Sequence, residues 1–448
     1  MEFQFSKRAE SFQPNIFNIL NEKRQALIES GKKIYNMSVG TPDFPPAQHV
    51  LDVVSEAAKN PEEYKYSLGD TKELLSAVEG WYQNRYGVTL QDDEILSLAG
   101  SQEGFAHVAL TLCDPGDVVL VPNPGYPVFE AGPFLNDAKI AYYELDKTNH
   151  CAPALDKIPE ELAQKAKMMV VSYPLNPTCT CIEKADYEKI IAFAKKYNIA
   201  IIHDNAYSEI EYDGRTGFSF LSVPGAKEVG IEFNSLSKTY NLTGIRISFA
   251  LGNKELIQKF KTVRSQFDYG TSFIVQKAAV AALTGPQDGV RKQCAAYEER
   301  RDALCGGLNG IGWQVPYSEG TMFVWAPLPK GYTSSEKFCM DLLENTGVLC
   351  TPAVHSEARA KVMCVLRWYF RQKKLKGCRS SRSVVMKDTV YFIVISLIMV
   401  VMAYFVAFGC EKLIEKKTHV KFFIGKDEGQ QAGDYGNAFC GGSGIDVF

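Results

Sequence analysis

The chain has 448 residues, 46% of them hydrophobic, and 49 Lys and Arg against 52 Asp and Glu give a net charge of -3. That length admits more than one domain and a large core. Balanced charge supplies no global field for nucleic acid or an anionic membrane surface, so a small-molecule partner is expected. The 12 cysteines are scattered, and Cys179-Thr180-Cys181 is too tight for the usual zinc spacing. They read as reduced thiols of a cytoplasmic protein, with no metal expected. The charges of residues 1–8 have no apolar run behind them, so no secretory signal is expected.

In chain order, Ile16 to Ser30 has the apolar spacing of an amphipathic helix with Gly31 as its stop. Tyr35 to Pro46 contains Gly40 and three prolines, which predicts an extended loop. Its plain role is a linker; its sharper role is to bring the backbone at Gly40 close to a ligand. Helices are predicted over Gln48–Lys59 and Thr71–Tyr86, with Tyr64-Lys65-Tyr66-Ser67 between them. Glu94 to Gly104 reads as a buried strand, a glycine turn and a helix start, an arrangement that turns backbone N–H groups toward an anion. A strand over Asp117–Val121 then leads into Pro122-Asn123-Pro124-Gly125-Tyr126-Pro127.

Strands at Met168–Ser172, Ala200–Asp204 and Gly230–Asn234 alternate with a helix over Lys184–Tyr197. This alternation predicts an α/β fold whose mostly parallel sheet is covered on both faces, with the loops after the strands forming one rim. A long helix from about Gln287 and a strand over Thr321–Trp325 suggest a smaller α+β domain.

On the predicted rim, Lys238 stands among hydroxyl side chains, with Gly244 and Arg246 downstream. Such a lysine can form an imine once its pKa falls from about 10.4, and it reads as the covalent anchor of pyridoxal phosphate. Arg246 suits a phosphate through paired N–H groups, and Ser101 and Ser235 add hydroxyl donors. Asp204 at a strand end would keep a pyridine nitrogen protonated; Tyr207 and Asn176 can reach the ring hydroxyl, and Tyr126 can stack on the ring. Singly, each has a plain alternative: a turn-forming Asp, a surface Arg, a packing Tyr. The conjunction favours the shared site.

From about Ile16 to Cys350 the chain resembles class I and II aminotransferases of pyridoxal-phosphate fold type I, in the aspartate and LL-diaminopimelate aminotransferase branch. The residues that carry this are Tyr64-Lys65-Tyr66-Ser67, Pro122 to Pro127, Asn176-Pro177-Thr178, Asp204-Asn205-Ala206-Tyr207 and Ser235 to Arg246. The resemblance implies a three-layer α/β/α large domain and a smaller α+β domain. It implies that Lys238 anchors the cofactor and shuttles the substrate's α-proton, that Ser101, Gln102, Ser235 and Arg246 hold phosphate, and that Asp204, Tyr207, Asn176 and Tyr126 hold the ring. Gly40 and Asn176 would help hold the substrate carboxylate. Tyr66 would reach the phosphate of a neighbouring subunit, which implies a homodimer. The implied activity is amino transfer between an L-amino acid and a 2-oxo acid. A C–S β-lyase shares the same rim.

Three departures stand out. Cys179 replaces the glycine usual after Asn-Pro-Thr, which puts the tight turn in question, and Asp70 and Leu75 stand where relatives have Gly and Arg. After Pro352 the family text stops altogether, and with it the arginine that clamps the substrate carboxylate. Taking each codon from the last base of one residue and the first two of the next, from Ala353, allowed codons spell Ser-Ala-Phe-Gly-Ser-Pro-Gly-Glu-Gly-Tyr-Val-Arg-Phe-Ala-Leu-Val-Phe-Pro-Pro-Glu-Lys-Ile. The family places such a segment there, so a single lost nucleotide near Pro352 is the expected cause, with the missing arginine encoded across Cys364 and Val365.

The expected organisation is an N-terminal arm with part of the small domain (1–46), the large cofactor domain (47–286), a truncated small domain (287–352), an out-of-frame basic segment (353–388), a candidate transmembrane helix (389–409) and a glycine-rich flexible tail (410–448). Val390 to Phe408 is a nineteen-residue run with only Ser396 clearly polar, long enough to span a bilayer, and Lys373 to Lys387 carry the basic flank. If that run is genuine, a single-pass anchor and a membrane-tethered, catalytically dead protein become the rival reading.

Overall fold

The computed structural model describes residues 1–353 other than 2, 12–15 and 39, together with the backbone of a strand at 363–367. All of these belong to one compact unit, Met1–Val400. The candidate transmembrane helix, the tail and most of the basic segment lie outside the described residues.

Thirteen strands are present among them: β1 (Tyr35–Asn36), β2 (Ile95–Leu98), β3 (Val118–Asn123), β4 (Lys139–Asp146), β5 (Ala152–Pro153), β6 (Ala166–Ser172), β7 (Ala200–Asn205), β8 (Gly230–Ser235), β9 (Ser248–Gly252), β10 (Phe323–Pro327), β11 (Val348–Leu349), β12 (Thr351–Pro352) and β13 (Met363–Arg367). Eight form one sheet in the order β2-β9-β8-β7-β6-β3-β4-β5. Strands β4, β3, β6, β7 and β8 run parallel, while β9 is antiparallel to both β8 and β2. The sheet is therefore mostly parallel, and β2 points the same way as β8.

Successive side chains of the central strands enter different cores, as a pleated strand buried on both faces requires. Val119, Met168, Val170, Ile202 and Phe233 join the core beneath the helices Ser101–Leu112 and Lys254–Arg264. Leu120, Met169, Val171 and Ile201 join the opposite core, beneath Lys72–Tyr86 and Lys184–Tyr197. This is the three-layer α/β/α arrangement. Truncating Ile202, which is fully buried, to alanine is expected to cost about 2–5 kcal/mol.

Local chemistry sets the helix ends. Thr71 accepts a hydrogen bond from Leu74 N and starts Lys72–Tyr86, and Gly87 closes it at φ 67°. The Lys184–Tyr197 helix has the predicted bounds and stops at Asn198 in the left-handed region. A buried charge in the sheet is also satisfied. Glu232 accepts hydrogen bonds from Tyr82, Ser219, the Phe220 N–H and His203, so none of its lone pairs is wasted.

A third core gathers Met37, Tyr297, Leu304, Trp313, Val324, Phe338 and Val348. It underlies the antiparallel sheet β10-β13-β12 and the parallel pair β1-β11. The strand predicted from Thr321 begins instead at Phe323, because Thr321 sits at φ 68° and its hydroxyl accepts from the Phe323 N–H. Five residue pairs join β10 to β13, with Trp325 opposite Val365.

Candidate active site

Because β2, β3, β6, β7 and β8 point the same way, their C-terminal ends share one rim, and the chain enters β9 from that rim just after Arg246. Gly100 follows β2 at φ 93°, and a Cβ there would lie 2.0 Å from an Arg246 guanidinium nitrogen. Only glycine lets the guanidinium pack on this turn. Arg246 itself sits at φ 60° and donates to the Thr243 carbonyl at 3.0 Å. Ser101 opens the next helix, with Gln102 exposed on its first turn. The Ser101 hydroxyl oxygen is buried without a hydrogen-bond partner. At the end of β8, Ser235 accepts from the Ser237 N–H at 3.2 Å. A helix N-terminus, two hydroxyls and a guanidinium near one turn make a receptor for a phosphate dianion.

Asp204 is the penultimate residue of β7, opposite Phe233 of β8. One of its carboxylate oxygens is buried without a partner, and the other accepts a long 3.4 Å bond from Ser172. Burial pushes this carboxyl up to about 6. Burial also raises the Tyr126 phenol, which the Asp204 charge raises further and the Arg246 charge lowers. Tyr126 therefore lies within electrostatic reach of both the acid and the guanidinium.

Lys238 lies on a one-turn helix, Leu236–Thr239, directly after β8. Its Nζ donates to the Gly40 carbonyl, and its own carbonyl accepts from the Gln293 side chain at 2.8 Å. A Cβ on Gly40 would meet the Phe323 ring at 3.3 Å, and that ring stands edge-on to Tyr207 at 5.8 Å. Thus Gly40, Lys238, Tyr207 and Phe323 form one wall. Asn176 is half-buried in the loop after β6. Tyr66 is 84% exposed and packs edge-on against Tyr269 at 6.0 Å.

Two of the departures have structural answers. Cys179 keeps the turn by adopting φ 62°, with its N–H donating to Leu175 O and its thiol to Pro177 O, so the expected disturbance is absent. Asp70 accepts from both the N–H and the hydroxyl of Ser97, fixing the first rim strand. Sequence reasoning missed Gln293, Phe323, Asp43 and Arg300. For Gln293 and Arg300 the signal was their helical spacing with Tyr297, which places the three on one face; Phe323 and Asp43 carried none.

The orphaned Ser101 hydroxyl and Asp204 oxygen, with the Lys238 amine nearby in the chain's topology, fit a group bearing a phosphate, a protonatable ring nitrogen and a carbonyl. A family model for class I and II aminotransferases matches residues 32–365. The chain belongs to that family. It is 41% identical over 351 residues to LL-diaminopimelate aminotransferase of Moorella thermoacetica, covering 78% of this chain and 90% of the relative. It is 38% identical over 387 residues to the same-named enzyme of Desulforudis audaxviator, covering 84% and 98%. The substrate-bound BacF structure from Bacillus subtilis superposes with a TM-score of 0.81 at 31% identity, covering 89% of this chain and 97% of that one.

Membership makes the chain a pyridoxal-phosphate-dependent aminotransferase, with amino acids and 2-oxo acids as its substrate classes. The fold expected for the family, a mixed α/β structure about a mostly parallel sheet, is the one observed. No helix among the described residues is long and apolar enough to cross a membrane.

Proposed function

We propose that the aminotransferase accepts LL-diaminopimelate or a closely similar diamino dicarboxylic acid as amino donor, with Lys238 as its cofactor anchor and proton carrier. The observation that carries the residue assignment is the Lys238 amine held on the Gly40 carbonyl at the rim where Asp204 presents a buried, unpartnered oxygen. The names of the relatives carry the substrate. Ser101, Gln102, Ser235 and Arg246 would hold the phosphate of pyridoxal phosphate, Asp204 its ring nitrogen, Asn176 and Tyr207 its ring hydroxyl, and Tyr126 its face. When bound, the cofactor supplies an electron sink for the substrate α-carbon. Lys238 Nζ takes the α-proton and returns it on the other side of the transfer, which requires the amine to be neutral at that moment. Gly40 and Asn176 orient the substrate carboxylate.

The enzyme works as a homodimer in the cytoplasm. Exposed Tyr64, Tyr66, Leu68, Phe267 and Tyr269 supply apolar surface for a second copy, whose phosphate Tyr66 would reach. Eight free cysteines among the described residues suit a reducing compartment.

From Ala353 onward the chain is read out of frame. Strand β13 supports this reading, because it pairs with β10 where the shifted frame spells Tyr-Val-Arg across Val362 to Val365. The carboxylate-binding arginine belongs in that strand, and the chain as written turns over weakly without it. Nucleotide sequencing across Pro352, followed by assay of the written and frame-restored chains with LL-diaminopimelate and a 2-oxo acid, tests both readings. Equal turnover by the two chains would remove the frame reading. Turnover of other amino acids but not LL-diaminopimelate by the restored chain would remove the substrate reading.

A further inference from the structure

We propose that Arg300 is a positioning residue for the Lys238 amine, acting through Asp43 and the loop that carries Gly40. This rests on Lys238 being the anchoring lysine.

The Asp288–Gly310 helix places Gln293, Tyr297 and Arg300 on one face, at the spacing of one and two turns. At one point on this face Gln293 donates to the Lys238 carbonyl at 2.8 Å. Further along, at a rise of about 10 Å, Arg300 donates to Asp43 Oδ1 at 2.9 Å, and both side chains are about nine-tenths buried, at 10% and 11% exposure. The guanidinium also lies over the Phe44 ring at 4.8 Å and the Tyr297 ring at 5.7 Å, and those two rings meet edge-on at 5.4 Å. One rigid helix therefore holds the backbone beneath the lysine and the loop above it.

The rest of that loop is held by neutral hydrogen bonds, among them the Met37 N–H to the Leu349 carbonyl at 2.7 Å. Its Ser38 carbonyl accepts from Thr351 at 3.2 Å and its Pro45 carbonyl from Asn241 at 3.3 Å. The ion pair is thus the strong tie between the helix and the three residues that lead back to Gly40.

This tie has a chemical consequence. A carbonyl that accepts from Nζ stabilises the charged amine, whereas imine formation and proton abstraction need the neutral one. The distance at which Asp43 and Arg300 hold Gly40 sets that balance. Among the described residues, Asp204, Arg246, Tyr126 and Tyr207 are charged or titratable groups of the same rim. Asp43, Arg300 and Tyr297 face the amine's loop from behind.

The test uses the full chain, with pyridoxal phosphate as labelling reagent and borohydride to trap it. Label on the Lys238 peptide is measured by mass spectrometry from about pH 6 to about pH 10. Asp43→Asn, nearly isosteric, is expected to lower the pH midpoint of labelling by about 0.5–1 unit. Arg300→Gln should do the same, the double substitution should go no further than either single, and Arg300→Lys should recover most of the shift. A midpoint in Asp43→Asn equal to that of the unmodified chain overturns the proposal, as does full additivity of the two singles. If Arg300→Gln fails to fold, Asp43→Asn decides alone. Absence of label from Lys238 in the unmodified chain overturns the anchor assignment itself, and this proposal with it.

Discussion

The rim of the eight-stranded sheet and the small sheet around β10 differ in how closely their sequence dictates their structure. At the rim, backbone and side chains agree: Ser101 opens the helix that follows β2, Asp204 and Ser235 lie at the C-terminal ends of β7 and β8, and the turn at Gly100 admits the Arg246 guanidinium. In the small sheet β13 takes its place opposite β10 through a backbone ladder. A hydrogen-bonded ladder asks only for extended residues with N–H and C=O groups, so many sequences fill it. A carboxylate clamp asks for one guanidinium at one position. A frame change can therefore spare the strand and remove the chemistry.

The most severe way to break this contrast is Lys238→Ala in the frame-restored chain. Absorbance of the bound cofactor near the visible should disappear, and turnover should fall by about 10³-fold or more; a retained band would move the anchor elsewhere. Restoring the frame sharpens the other side. Return of a buried charged contact is expected to raise kcat/KM by about 10²–10³-fold, or about 3–4 kcal/mol, as measured in steady-state assays against the written chain.

Asp204 offers a pH test without cofactor. Its carboxyl is raised from 3.8 to about 6, so between these values the folded chain keeps a proton that the unfolded chain releases. Stability should then decline as pH rises from about 4 to about 6, by about 3 kcal/mol in total. Urea unfolding across that range should show the slope, and Asp204→Asn should flatten it. The smallest effect is at the phosphate turn. Gly100→Ala forces a side chain into φ 93° and against Arg246, and should weaken cofactor affinity about tenfold in a fluorescence titration. An unchanged affinity would mean that the turn does not touch the phosphate.

Much of this was legible in the sequence. Hydrophobic runs alternating with amphipathic ones gave the layers, and the Lys184–Tyr197 helix agrees to the residue. The rim residues were legible because each sits within a few positions of a strand end. The antiparallel placement of β9 was not, since a strand's direction depends on how the chain returns, not on its own pattern. Nor was the role of Gln293 or Arg300, whose partners Lys238 and Asp43 are 55 and 257 positions away. Cys179 shows a different limit: a turn that usually asks for glycine accepted an L-residue because its thiol and N–H found local carbonyls.

The pairing of β1 with β11 joins Tyr35 to Val348. During synthesis the last strand of the large sheet, ending at Gly252, is made roughly one hundred residues before β1 acquires its partner. At about 5–20 residues per second that interval is roughly 5–20 s. The large sheet can condense in that time while the N-terminal arm waits unpaired. On the proposed frame reading, the altered text begins only after codon 352, when every strand of the large sheet has already been made.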